Sequence, residues 1–210
     1  MDEQLFPTKT RCRFLQYMPN KPDKFGIKFW LAVDVRTKYL LNGFPYLGKD
    51  KMRPSLGENV VNRLVDPYKN SGRNITTDSF FTSVKLAKSL KSKGLSHVGT
   101  VNRAKREIPS SFKNVRNEIF SSVVMKHDYI TLTSYQSKRN KNVILLSTLH
   151  SSVEFESNEK KVTDVIQFYN STKFGVDVLN QTRKYSVKAP SRRWPVHVFY
   201  NILDLAGLNV

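Results

Sequence analysis

Apolar positions along the chain change spacing several times, and each change marks an element. Between Gly26 and Tyr46 two apolar and aromatic runs are joined by a polar segment from Asp34 to Lys38, a pattern that predicts a β-hairpin. Asp34 is read as a turn residue, because Arg36, Thr37 and Lys38 follow it. From Ser55 the apolar residues Val60, Val61, Leu64 and Val65 recur at helical spacing, which predicts a helix over Leu56 to Asp66 stopped by Pro67. Ser55 and Glu58 have the spacing of a capping box at its start. Arg73 to Thr77 reads as a short strand leading into Asp78. Thr82 or Ser83 then caps a helix that carries Val84, Leu86, Ala87 and Leu90 and ends at Gly94. Leu95 to Val101 reads as a buried strand, so the stretch from Arg73 to Val101 is expected to form a strand, helix, strand unit with a parallel pair.

Beyond Pro109 the period shortens. Alternating runs at Glu118 to Met125, Tyr129 to Tyr135 and Asn142 to Leu149, separated by polar turns, predict a small antiparallel sheet. Val165 to Tyr169 reads as a further strand, with Ser171 or Thr172 capping a helix that bears Val176 and Leu179. The run from Trp194 through Val198, Phe199, Ile202 and Leu205 is helical in period, with Pro195 in its first turn. The expected fold class is α/β, a mixed sheet with flanking helices interrupted by a small β-rich insertion. The expected divisions are 1–108 for the first part of the core, 109–163 for the insertion, 164–188 for a closing strand and helix, and 189–210 for a final helical region.

Composition narrows the function classes. The chain has 210 residues, 35 Lys and Arg against 17 Asp and Glu, and a formal net charge of +18. At 39% hydrophobic it can bury a core, so the charge belongs to a folded body rather than a disordered basic tail. Lys and Arg are spread evenly from end to end, the footprint of a protein that tracks a phosphate backbone. The single cysteine, Cys12, excludes an intramolecular disulfide and a Cys-rich zinc site, so metal chemistry, if any, must use oxygen ligands. No membrane-spanning run and no signal peptide is visible, and a soluble intracellular protein without a membrane partner is expected.

Acids are scarce, so an Asp at the end of an apolar strand is informative. Asp78 either takes a turn or cap position or satisfies its charge on a divalent ion. Asp177, in Gly-Val-Asp-Val-Leu-Asn, either meets a helix dipole or does the same. Histidines 97, 127, 150 and 197 are scattered and support no nucleophilic catalysis. Two basic clusters, Arg103, Lys105 and Arg106, then Arg183, Lys184, Lys188, Arg192 and Arg193, are candidates for phosphate contacts. Trp194 is a candidate base-stacking platform or an anchor for the last helix.

Six stretches carry a family pattern: Asp2-Glu-Gln-Leu5; Pro19-Asn-Lys-Pro22 with Lys24-Phe-Gly-Ile-Lys28; Thr77-Asp-Ser-Phe-Phe-Thr-Ser83; Val98-Gly-Thr-Val101 with Arg106-Glu-Ile-Pro109; Tyr169-Asn170 with Gly175-Val-Asp177; and Arg193-Trp-Pro195. In these the chain resembles the transposase of piggyBac-type mobile elements and the host proteins derived from it. The resemblance implies an RNase H-like core and a catalytic, metal-binding triad of Asp2, Asp78 and Asp177. It also implies Mg²⁺, with Mn²⁺ as substitute, a double-stranded DNA partner at transposon ends and TTAA targets, a homodimer in the full-length family and a nuclear location. Lys24 and Lys28 join the basic clusters as DNA-contact candidates. Three carboxylates suit two-metal phosphoryl transfer, in which Mg²⁺ ions bind carboxylate and phosphate oxygens.

The chain departs from the family pattern at Asn180, where active members commonly carry Asp; its amide carbonyl can still face a metal, without the charge. Only Met1 precedes Asp2, where the family completes its first strand, so a truncated strand and a fragment or relic gene product are expected. Three readings follow: a metal-dependent DNA-cleaving and strand-transfer domain, a transposase-derived protein that binds DNA without cutting it, and an RNA-binding structural protein.

Overall fold

The computed structural model describes residues 1–48, 55–113, 118–157, 159–182 and 186–210. Along the chain the strands are β1 (Asp2–Pro7), β2 (Leu15–Tyr17), β3 (Phe25–Val33), β4 (Leu40–Pro45), β5 (Asn74–Thr77), β6 (Ser96–Thr100), β7 (Ser122–His127), β8 (Ile130–Lys138) and β9 (Lys141–Ser147). The helices are α1 (Leu56–Val65), α2 (Val84–Ser92), α3 (Ser110–Lys113), α4 (Asp164–Thr172), α5 (Gly175–Thr182) and α6 (Trp194–Gly207). The chain divides into two compact units, one of Met1–Pro54 with Phe174–Val210, the other of Ser55–Lys173.

In the first unit β3 is the central strand. All six residues of β1 pair with it antiparallel, from Asp2 opposite Leu31 to Pro7 opposite Gly26. Strands β2 and β4 share the other edge of β3. The strand that holds Asp2 therefore runs forward from that residue and is paired along one edge, with β3. The predicted hairpin is β3 and β4, and Asp34 makes its turn: Oδ1 accepts the amides of Arg36 and Thr37 at 2.9 and 2.8 Å. Ile27, Phe29 and Leu31 alternate inward and bury against Phe6, Val176 of α5 and Leu205 of α6.

The second unit has a five-stranded sheet in the order β5-β6-β9-β8-β7. Strands β5 and β6 are the predicted parallel pair, joined through α2; the other neighbours are antiparallel. On one face Ala87 of α2 and Phe112 of α3 pack on Leu132, Ile144 and Leu146. On the other, Val165 and Ile166 of α4 pack on Val98, Tyr135 and Leu145.

Four expectations are corrected. The strands after residue 118 are not a sheet of their own, because β9 pairs with β6 and extends the parallel pair. Val165 to Tyr169 lies in α4, not in a closing strand. Its Val, Ile, Phe and Tyr are β-formers, but Val165 and Ile166 buried with Phe168 and Tyr169 half-buried is a one-sided helical pattern. Ser171 and Thr172 belong to the last turn of α4 and cap nothing, their hydroxyls donating to the Phe168 carbonyl. The Ser55 capping box does not form: the Ser55 side chain makes no cap bond, and Glu58 turns to Lys85 Nζ at 3.1 Å. Ser83, in contrast, caps α2 as predicted, its Oγ accepting the Leu86 amide at 3.0 Å.

Candidate functional site

In the first unit the candidate ligands lie on β1 and α5. Asp2 opens β1, and its Oδ1 accepts the Glu3 amide at 2.8 Å. Two residues on, Gln4 points inward and is 1% exposed. Its Nε2 donates to Asn180 Oδ1 at 2.8 Å, and its Oε1 accepts from Asn201 Nδ2 at 3.1 Å. This amide chain fastens β1 to α5 and α6, satisfying three polar groups that burial would otherwise penalise. Asp177 lies exposed in the first turn of α5, where the helix dipole favours its charge. Asp177 and Asn180 line a cavity of about 500 Å³ with Leu5, Lys21, Asp23 and Phe174. Lys21 is itself paired with Glu3 at 3.4 Å.

In the second unit Asp78 follows β5 directly, and a turn holds it. Its Oδ1 accepts the Phe80 amide at 3.1 Å. Its main-chain carbonyl accepts both the Thr82 amide at 3.1 Å and the Thr82 hydroxyl at 2.8 Å. Behind the turn, Thr77 Oγ1 lies 2.8 Å from Thr82 Oγ1 and 2.8 Å from His97 Nε2. His97 is fully buried, and burial holds its pKa down to about 3, so the ring is neutral. A cavity of about 590 Å³ opens beside Phe80, lined also by Gly57, Ser83, Lys85, Lys105 and Arg106. Lys105 donates from Nζ to the Thr82 carbonyl, and Glu107 Oε1 accepts the Val84 amide at 2.9 Å as a second cap on α2.

Asp2, Asp177 and Asn180 thus fall in one unit and Asp78 in the other. Among the described residues no group of three or more His, Cys, Asp or Glu side chains is gathered to hold a metal ion. As chemistry, the donors fit a hard cation: three carboxylates, with no competing Cys or His in these turns. Asn180 is different, since its carbonyl oxygen faces Gln4.

Of the cationic candidates, Lys24, Arg103, Arg106, Arg192 and Arg193 are exposed. Lys28 is half-buried, with Nζ 3.9 Å above the Trp30 ring. Arg183 and Lys184 lie outside the described residues. Trp194 is half-buried and meets Phe14 edge-on with ring centroids 4.9 Å apart, so it anchors α6 to the first unit's core. Sequence reasoning gave Gln4, Thr77, Thr82 and His97 no role behind these turns. The available signal was a polar residue at an inward position: Gln4 two before Phe6 in β1, and His97 beside Val98 in β6.

The family model described as Transposase IS4 matches residues 1–210. The chain belongs to the IS4 transposase family. Its sequence is 25% identical over 208 residues to the human PiggyBac transposable element-derived protein 2, covering 89% of this chain and 35% of that protein. Its fold superposes with a TM-score of 0.91 on a piggyBac transposase solved as a synaptic complex with hairpin DNA. Identity there is 40%, over 99% of this chain and 45% of that one. This transposase-family chain therefore spans less than half the length of each relative. The resemblance read from the six sequence stretches holds, as does the α/β class of sheets with flanking helices. No helix among the described residues is long and apolar enough to cross a membrane.

Proposed function

We propose that the chain is the catalytic-core portion of a piggyBac-type transposase, one that engages double-stranded DNA and holds divalent metal with Asp2, Asp78 and Asp177. The observation that carries the reading is the 40% identity and 0.91 TM-score over nearly the whole chain to a transposase bound to hairpin DNA. The +18 charge supports the DNA partner. Exposed Lys24, Arg103, Arg106, Arg192 and Arg193 would meet phosphates and set register without reading bases. The Asp78 turn and the first turn of α5 would present the carboxylates to the metal. When bound, Mg²⁺ or Mn²⁺ would activate the attacking oxygen and stabilise the leaving one in phosphoryl transfer. TTAA target sites, a homodimer of the full-length protein and a nuclear location complete the proposal.

One observation favours a second reading, DNA binding without cleavage. Asn180 brings no charge, and its side-chain oxygen already accepts from Gln4. Incubating the chain with Mn²⁺ and a labelled terminal-repeat duplex separates the two. Nicking that disappears in Asp78→Ala supports the first reading. Retained, salt-dependent duplex binding with no nicking selects the second, and preference for single-stranded RNA over duplex DNA refutes both.

A further inference from the structure

We propose that His97 is a positioning residue for Asp78, carrying its proton on Nε2 and standing at the head of a one-way chain of hydrogen bonds through Thr77 and Thr82 to the Asp78 backbone. The functional meaning rests on the reading of Asp78 as a metal-binding carboxylate. The chain itself follows from counting protons.

A hydroxyl has one hydrogen to give. Thr82 gives its hydrogen to the Asp78 carbonyl, which can only accept. The 2.8 Å contact between Thr77 Oγ1 and Thr82 Oγ1 must then run with Thr77 as donor. That spends the Thr77 hydrogen, so the 2.8 Å contact with His97 Nε2 must run from the imidazole N–H to Thr77. The other ring nitrogen, Nδ1, is left as the bare one. It is buried with no hydrogen-bond partner among the described residues, so a second ring proton would have nothing to bind there. Donors aligned head to tail polarise one another and strengthen the series.

The surroundings hold this order in place. His97 and Thr82 are 0% exposed and Thr77 is 2% exposed, so water does not compete for the bonds. The His97 amide donates to Thr148 Oγ1 at 2.8 Å, which ties β6 to the end of β9. Gly99 admits the threonines: a Cβ there would lie 2.2 Å from Thr82 Oγ1 and 2.9 Å from Thr77 Oγ1. With its carbonyl gripped by the Thr82 hydroxyl and amide, the Asp78 turn is fixed at the position from which Oδ1 reaches the Phe80 amide.

The test is nuclear magnetic resonance on the ¹⁵N-labelled full chain. Long-range proton–nitrogen correlations of the His97 ring should show hydrogen on Nε2 and none on Nδ1 at neutral pH; hydrogen on Nδ1 overturns the proposal. Thr82→Val removes the hydroxyl that accepts from Thr77 and donates to the Asp78 carbonyl, and should speed exchange of the Phe80 amide by about tenfold; Thr82→Ser should restore it. An unchanged Phe80 amide in Thr82→Val also overturns it. Where Thr82→Val does not fold, the ring measurement on the unaltered chain decides. Neither readout involves metal, so Mn²⁺ affinity in Asp78→Asn reports separately on the functional reading of Asp78.

Discussion

Any side chain at Gly99 would collide with the Thr82 hydroxyl and, 2.8 Å away, with the Thr77 carbonyl oxygen, both rigidly placed. Gly99→Ala is expected to cost about 2 kcal/mol, the range for overpacking a filled core, measured by denaturant unfolding. His97 predicts a pH dependence. Its pKa is about 3 in the folded chain against an ordinary 6.5. The unfolded state therefore binds the extra proton first. Stability from the neutral ring is full above about pH 6.5 and is lost as pH falls toward 3, by up to about 1.4 kcal/mol per pH unit. In His97→Asn the slope of unfolding free energy between about pH 6.5 and 5 should flatten. At this scale the sequence was only partly legible. Asp34 could be read as a turn residue because its partners are two and three positions away. Gln4 with Asn180 and Thr77 with His97 are separated by long stretches of chain, so only the fold discloses those bonds.

Helix starts separate sequence spacing from realised geometry. Ser55 and Ser83 both precede amphipathic helices, yet only Ser83 makes its cap bond. Ser83→Ala should cost about 1 kcal/mol in thermal or denaturant unfolding, and Ser55→Ala should stay within about 0.5 kcal/mol. The backbone differs at the two caps, Ser83 being extended at φ −151° and ψ 158° and Ser55 lying at ψ 69°, while Glu58 is drawn to Lys85 on the neighbouring helix, a tertiary contact that local spacing does not encode. Elements whose signals are local were legible: the β3–β4 hairpin, α1, α2 closing at Gly94 with φ +66°, the parallel pair and α6. The α4 segment was not, because β-branched and aromatic side chains suit either state and the sheet face it covers decided for helix. The pairing of β9 with β6 was hidden for the same reason, since strand order is a long-range property.

At the scale of the whole molecule, charge and descent point the same way. A +18 chain of the IS4 transposase family should bind duplex DNA with log affinity falling linearly in log salt concentration. Replacing exposed Arg103 or Arg192 by Ala should reduce that slope by about one each and weaken all duplex sequences alike, as measured by fluorescence anisotropy across a salt series. Of the candidate site, Asp78 and Asp177 could be singled out from their place beside apolar runs, and Asp2 only from the family pattern. The polar supports behind them came from the structure. What joins these levels is the claim that the aspartates hold a divalent ion. An electron paramagnetic resonance titration of Mn²⁺ into the full chain tests it most directly. The account predicts saturable binding that weakens at least about tenfold in Asp78→Asn and in Asp177→Asn, since disturbing even an outer-shell partner of a metal costs about 10- to 100-fold in affinity. Equal Mn²⁺ affinity in the unaltered chain and both folded variants would contradict it.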